Sequence, residues 1–438
     1  MLVYSILGLL YAAAIVFLLY AYRGFAREQK RNRPTQGVVT ELKGISKEPP
    51  YSHSRRGLAL LFFASPSLCL ASLEAQIVPP TSLPLPAMVG PLSTAVPVAF
   101  DAGPFGQLDA TGVLSGFGDW ENHPSSGDHA ARVDIGNGQV FVQKPSGIVQ
   151  FYLQAGVYNL PAVGTPTLST RNTLHDFFGP LPLAYLTLAP KGSFSVSIGK
   201  LPTLFGAEDT FTFENLNIER GLLWNQEPAV SRGLQINYSK RKLNSSLAWN
   251  DGFYSNRYNW VTGALTYSFR AVDSIELVIG GHFGYTGHSS AATPLFQNNS
   301  TIYDAIYTHA AKQRFIETYL QYTNAPRNTR LSLDRTTATL GEAVLENYTF
   351  NQHLSMAGRI EYIGSTGNLH DGSANLIYGP GSRAASVTMT PTYQNKSFFA
   401  RGEFSFVHAF DISQGDAFGP NGRSDAQLRG VIETGFLF

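Results

Sequence analysis

Residues 426–438, AQLRGVIETGFLF, carry two chemistries on alternate positions. Ile432, Thr434, Phe436 and Phe438 share one parity, whereas Arg429 and Glu433 lie on the other. A period of two belongs to a β-strand, whose successive side chains point to opposite faces of a sheet. The same separation recurs upstream. In 261–269, Val261, Gly263, Leu265, Tyr267 and Phe269 alternate with Thr262, Ala264, Thr266 and Ser268. Ile275, Leu277, Ile279 and Phe283 stand against Glu276 and His282; Ile316, Thr318, Leu320 and Tyr322 stand against Glu317 and Gln321; Val387, Met389 and Tyr393 stand against Ser386, Thr388, Thr390 and Thr392.

About sixteen such segments run from residue 107 to the last residue, separated by clusters of Gly, Asn, Asp, Pro and Ser. They fall near 108–117, 131–143, 148–158, 182–189, 192–200, 231–239, 242–250, 260–269, 273–285, 301–311, 313–323, 339–350, 354–364, 383–394, 397–409 and 426–438. A segment and its connection then take about 21 residues, which suits strands of ~10 residues tilted across a bilayer with short turns on one side. Period two alone does not separate a soluble sandwich from a membrane barrel, because each has one apolar and one polar face. The aromatic load of 21 Tyr and 29 Phe favours the barrel. Tyr238, Trp249, Tyr267, Phe269, Tyr322, Tyr362 and Phe410 sit at strand ends, where interfacial girdles need them. The expected fold is all-β: an antiparallel transmembrane β-barrel of about sixteen strands over 106–438.

Composition removes several alternatives. Only 14% of the 438 residues are charged and 43% are apolar, so polar neutral residues take the place of charge. That pattern excludes a polytopic helical membrane protein. Thirty-two basic and 31 acidic residues give a net charge of +1, without the basic footprint a nucleic acid requires. The single cysteine, Cys69, excludes disulfide frameworks and thiolate zinc sites. No metal, cofactor or catalytic residue is expected.

The N-terminal region holds two apolar stretches. Residues 2–21 are uncharged and long enough to cross a bilayer as a helix, followed by Arg23, Arg27, Lys30, Arg31 and Arg33. A second pattern, with Arg55 and Arg56, an apolar run over 58–70 and Ala75 at a cleavage position, reads as a secretory signal peptide over 51–75. Two export elements in series are explained most simply by a start assigned too far upstream, which would leave 1–50 as a hydrophobic helix and basic linker outside the mature protein. Residues 76–105, rich in Pro and small residues, read as a flexible periplasmic lead-in, too short to fold as a globular plug.

Charges of both signs fall on the polar parity of three late segments: Arg359 and Glu361, Arg401 and Glu403, and Arg429 and Glu433. Together with Glu317 they are the expected lumen-lining groups. A dry core would cost several kcal/mol per ion before pairing, so water in the lumen is expected to hydrate them, either as struts bracing the wall or as selectivity groups. The alternation breaks over 205–232, a stretch containing Glu208, Asp209, Glu214, Glu219, Arg220, Trp224 and Glu227. An ordinary surface loop is the preferred reading. The sharper one is a constriction folded into the lumen, with Glu208, Asp209, Glu219 and Arg220 at its narrowing.

The run Leu201, Pro202, Thr203, Leu204, Phe205, Gly206, Ala207, Glu208, followed by Asn217, Ile218, Glu219, Arg220 and Gly221, resembles the OmpL-like β-barrel porins of Gram-negative bacteria. So do Met389 to Tyr393 with Phe398, Phe399, Ala400, Arg401, Gly402 and Glu403, and Trp249, Asn250, Asp251 and Gly252 at a strand end. The resemblance covers about 109–438 and implies an outer-membrane porin-like barrel; the first 75 residues lie outside it, and the 2–21 helix departs from what such a protein needs. Ile432, Phe436 and the terminal Phe438 likewise resemble the signal by which the barrel-assembly machinery recognises its clients.

The function expected is passive diffusion of small hydrophilic solutes or ions through a water-filled barrel in the bacterial outer membrane, reached by secretory export. Lipid, the assembly machinery and further copies of the chain are the other expected partners. A closed barrel serving as receptor, adhesin or anchor is the alternative. A barrel-embedded hydrolase is the less favoured one, since no nucleophile elbow, Walker loop or His-Glu-x-x-His pair is present. Gly287, His288, Ser289 and Ser290 contain the single close His and Ser pair worth testing, and a surface loop is the plainer account of them.

Overall fold

The computed structural model describes residues 88–94 and 96–438. The hydrophobic helix, the signal peptide and the start of the lead-in, expected over 1–87, lie outside the described residues. The strands are β1 (Val98–Asp101), β2 (Gln107–Glu121), β3 (Ala131–Lys144), β4 (Val149–Tyr158), β5 (Leu183–Leu188), β6 (Phe194–Pro202), β7 (Val230–Lys240), β8 (Leu243–Asn250) and β9 (Trp260–Ser268), then β10 (Asp273–His282), β11 (Thr301–Ala310), β12 (Arg314–Ala325), β13 (Thr337–Thr349), β14 (Leu354–Ser365), β15 (Arg383–Asn395), β16 (Phe398–Phe410) and β17 (Ala426–Leu437).

Every neighbouring pair from β2 to β17 is antiparallel, and β17 pairs back onto β2 from Arg429↔Glu121 to Leu437↔Val113. The sheet is therefore a closed barrel of sixteen strands, and closure leaves no edge to be satisfied in lipid. Each barrel strand falls on one of the sixteen alternating segments. β1 was not visible in the sequence; it continues the line of β17 on the same edge of β2, pairing Val98↔Ala110 through Asp101↔Gln107. Beyond β17, Phe438 extends the seam, its N–H donating to the Gly112 carbonyl at 2.9 Å and its own carbonyl accepting from Gly112 N–H at 2.6 Å.

Connections alternate strictly between turns of two to five residues and loops of nine to 27. That is the signature of a membrane barrel with short turns at one rim and long loops at the other. The outer face is the apolar parity: Ile360 and Ile432 are 63% and 65% exposed. In a soluble sandwich these side chains would be buried between sheets.

The core is inside. The connection between β6 and β7, residues 203–229, turns inward and is buried along most of its length. Leu216, Leu222 and Leu223 pack on Ile306, Tyr319, Ala343, Leu345 and Ile363 of β11–β14. Phe211, Phe213 and Trp224 belong to a second cluster with Phe141, Tyr152, Tyr158 and Phe399. Phe205 completes a third with Phe253, Trp260 and Val278. The preferred expectation of a surface loop is thus corrected. A loop with this many large apolar residues would expose them at a rim, and burial against the inner wall removes that surface from water at roughly 25 cal/mol per Å².

Candidate functional site

The polar inner face and the inward loop meet in one dry ion network. Arg359, Glu361, Arg401, Glu403, Arg429 and Glu433 all point inward and are at most 6% exposed. The expectation that lumen water hydrates them therefore differs from the structure, because the loop occupies the space that water would fill. Arg359 on β14 donates through Nη1 to Glu208 Oε1 at 2.6 Å and to the Glu219 carbonyl at 2.7 Å, and through Nε to Glu361 Oε2 at 3.1 Å. Arg429 on β17 holds Glu121 at 2.5 Å and Glu219 at 2.5 Å. Arg401 on β16 donates to the carbonyls of Thr212, Asn215 and Leu216 at 2.9, 2.9 and 2.7 Å, with Glu433 3.7 Å away.

The acids serve the loop as the arginines do. Glu403 accepts from the backbone N–H groups of Ile218 and Glu219, and Glu433 accepts from Thr212 Oγ1 at 2.7 Å and Asn137 Nδ2 at 3.0 Å. A loop with only two short 3₁₀ turns, Thr212–Glu214 and Leu223–Gln226, must still satisfy its backbone when buried, and here the wall supplies the partners. Gly221 lies so close to the wall that a Cβ there would run into the Glu361 carboxylate. Of the four loop residues singled out in the sequence, Glu208 and Glu219 join this network. Asp209 closes a turn, its N–H donating to Asn215 Oδ1 at 2.7 Å. The Arg220 guanidinium is fully buried, stacks 4.9 Å over the Trp224 ring and makes no hydrogen bond among the described residues.

The wall opposite has another character. Ser195, Gln235, Asn237, Ser246, Thr266, Ser274, Glu276 and Thr308, on β6–β11, alternate with outward apolar residues and remain half-buried. Asn237 accepts from Gln235 at 2.7 Å and from Ser246 at 2.8 Å. Glu276 accepts from Thr266 at 2.9 Å, Glu317 from Thr308 at 2.8 Å, Asp304 from Gly206 N–H at 3.0 Å, and Glu227 from Gln321 Nε2. None of these four carboxylates is in an ion pair among the described residues. Among the basic residues of the inner wall, Arg359, Arg401 and Arg429 on β14, β16 and β17 engage the loop, whereas Arg132 on β3 pairs with Asp128 at 2.7 Å.

Above this, the long loops enclose a vestibule of about 660 Å³ bounded by Asn225, Gln226, Gln297, Tyr378 and Asp416. His288 and Ser289 are exposed on the β10–β11 loop, away from these groups. Sequence reasoning missed Glu121, Glu276, Asp304 and Gln321 as site groups. Glu121 was hidden because β2 continues past the Gly-rich stretch Gly116, Phe117, Gly118; Asp304 because both parities of β11 are apolar, with Ile302 and Ile306 beside it.

A closed sixteen-strand barrel with an apolar outer belt and an inward loop defines a porin-like outer-membrane channel. The chain belongs to the family described as Putative beta-barrel porin-2, OmpL-like, which it matches over residues 107–438. No curated protein matches the chain. Among solved structures, it is similar to the outer membrane channel DcaP of Acinetobacter baumannii at 12% identity, TM-score 0.54, covering 78% of this chain and 100% of that one. An anion-selective porin from Comamonas acidovorans gives 10% identity and TM-score 0.53, over 76% of this chain and 99% of that one. OmpF of Salmonella typhi, solved with daunomycin, gives 13% and 0.52, over 78% and 100%. At these identities the likeness is one of fold.

Proposed function

We propose that the protein gives passive passage to small hydrophilic solutes, with a preference for cations, along a narrow strip of the lumen on the β6–β12 wall. The observation that carries this is the segregation of charge: Glu276 is half-buried on the polar strip and Glu317 is buried beside it, neither with a cationic partner among the described residues, while Arg359, Arg401 and Arg429 are each paired with carboxylates of the loop or the wall. An uncompensated carboxylate beside an aqueous path attracts cations and raises their local concentration. The proposed pore-lining set is therefore Glu276 and Glu317, and the six arginine and glutamate residues of β14, β16 and β17 act by fixing the loop. The test is the reversal potential under a KCl gradient in planar bilayers. Glu276→Gln with Glu317→Gln is expected to lower the K⁺ over Cl⁻ permeability ratio several-fold, and an unchanged reversal potential contradicts the assignment.

A second reading is a closed barrel acting as receptor or anchor, favoured by the burial of residues 205–224 against three sides of the wall. Silence from folded, inserted protein selects it.

Outer-membrane lipid, the barrel-assembly machinery and further copies of the chain complete the proposed partners. Ile432, Phe436 and Phe438 are the proposed assembly signal, exposed on the outer face of the closing seam. Phe438→Ala is expected to reduce the yield of heat-modifiable, membrane-inserted protein several-fold in cells, and an undiminished yield removes that role.

A further inference from the structure

We propose that residues 88–94 are a latch that positions the tip of the inward loop and so sets the width of the conducting strip. This rests on the channel reading and adds to it a positioning element from the chain that precedes the barrel. The expectation of a flexible lead-in does not describe these residues. Gly90 N–H donates to the Glu214 carbonyl at 2.8 Å, and a Cβ at Gly90 would run into the Asn215 carbonyl. Leu92 is 3% exposed and belongs to the cluster that holds Phe211 and Phe213 of the loop with Val113, Phe141, Phe399 and Leu437 of the wall. Ser93 is paired with Gln394 near the end of β15: its N–H donates to Gln394 Oε1 at 2.9 Å, and Gln394 Nε2 donates to its carbonyl at 2.8 Å.

The segment thus bridges the loop tip, residues 211–215, and the wall at the short-turn rim. Two clamps converge on the tip. Arg401 takes the carbonyls of Thr212, Asn215 and Leu216 from the wall side, and the latch takes Glu214 and the aromatic pair from the other. The clamps differ in kind. Arg401 is anchored within a barrel strand, whereas the latch is a short irregular segment tied to the wall by one glutamine and one leucine. Such a segment exchanges on and off more readily than a barrel strand, because few buried contacts oppose its opening.

The test uses the full chain, extracted from outer membranes and recorded as single channels in KCl. Leu92→Asp places a charge in an aromatic cluster, and Gln394→Ala removes the wall partner of Ser93 without touching the barrel core. Each is expected to give channels whose steps are at least two-fold larger than wild type or fluctuate between wild-type and larger levels. Folding and insertion are checked by heat-modifiable migration. In a Cys69→Ala background, Ser93→Cys with Gln394→Cys, joined by a short bismaleimide, is expected to hold the wild-type level without fluctuation. Steps of wild-type size and noise in both unseating variants overturn the latch while leaving the channel reading intact. If wild type is silent, conduction by Leu92→Asp supports the latch as the closing element, and silence of both overturns latch and channel together.

Discussion

Arg429→Ala is expected to destabilise the folded barrel by about 3–5 kcal/mol, the cost of stranding buried ionic partners. Arg429 is 2% exposed and neutralises two carboxylates from different parts of the chain, Glu121 at the end of β2 and Glu219 in the inward loop. It also donates to the carbonyls of Ala162 and Thr165 at 3.2 and 2.8 Å, tying the β4–β5 loop into the same node. Removing the guanidinium leaves Glu121 and Glu219 dry and without their cation, a state that water or protons must relieve. Combining Arg429→Met with Glu121→Gln and Glu219→Gln removes the stranded charge and is expected to recover most of the loss. Equilibrium urea unfolding in lipid vesicles, followed by tryptophan fluorescence, measures both. A single variant within about 0.5 kcal/mol of wild type, the range of an ordinary surface substitution, would contradict the network's structural role.

Excising residues 205–228 and joining the ends with a short Gly-Ser turn is expected to raise single-channel conductance several-fold. The loop supplies apolar side chains of three clusters that together touch β2–β5, β7 and β9–β17. A sixteen-strand barrel without such filling encloses an aqueous channel. The six wall charges would then be hydrated, as the sequence alone suggested, so the barrel itself is expected to keep its fold. Selectivity should also fall towards neutrality, because Arg359, Arg401 and Arg429 lose their loop partners and face the path. A conductance equal to wild type in inserted protein would mean that the loop does not narrow the lumen.

The barrel was legible because lipid and lumen impose opposite demands on successive residues. Ile360 between Arg359 and Glu361 is read from the period alone, and so is Ile432 beside Glu433. The inner site was legible in part. Parity placed Arg359, Arg401, Arg429 and their glutamates on the inner face, but parity carries no information on what else occupies the lumen. That was decided by the β6–β7 connection, whose Phe205, Phe211, Phe213, Leu222, Leu223 and Trp224 are spaced without period and point to no regular element. Their number was the available signal. A segment that is both acidic and heavily aromatic cannot rest at a solvated rim without exposing a large apolar patch. Short motifs escaped for a similar reason: the four-residue strand Val98–Asp101 and the docked residues 88–94 acquire their structure from contacts with the barrel rather than from local pattern.

Passage is tested most directly by recording the wild-type protein, shown to be folded and inserted, as single channels in a planar bilayer under a KCl gradient. Stable steps of low conductance, smaller than those of the loop-excised barrel, are expected, with a reversal potential of the sign given by K⁺ passing faster than Cl⁻. Channels that favour Cl⁻ would contradict the charge assignment on the β6–β12 wall. Persistent silence would contradict passage itself.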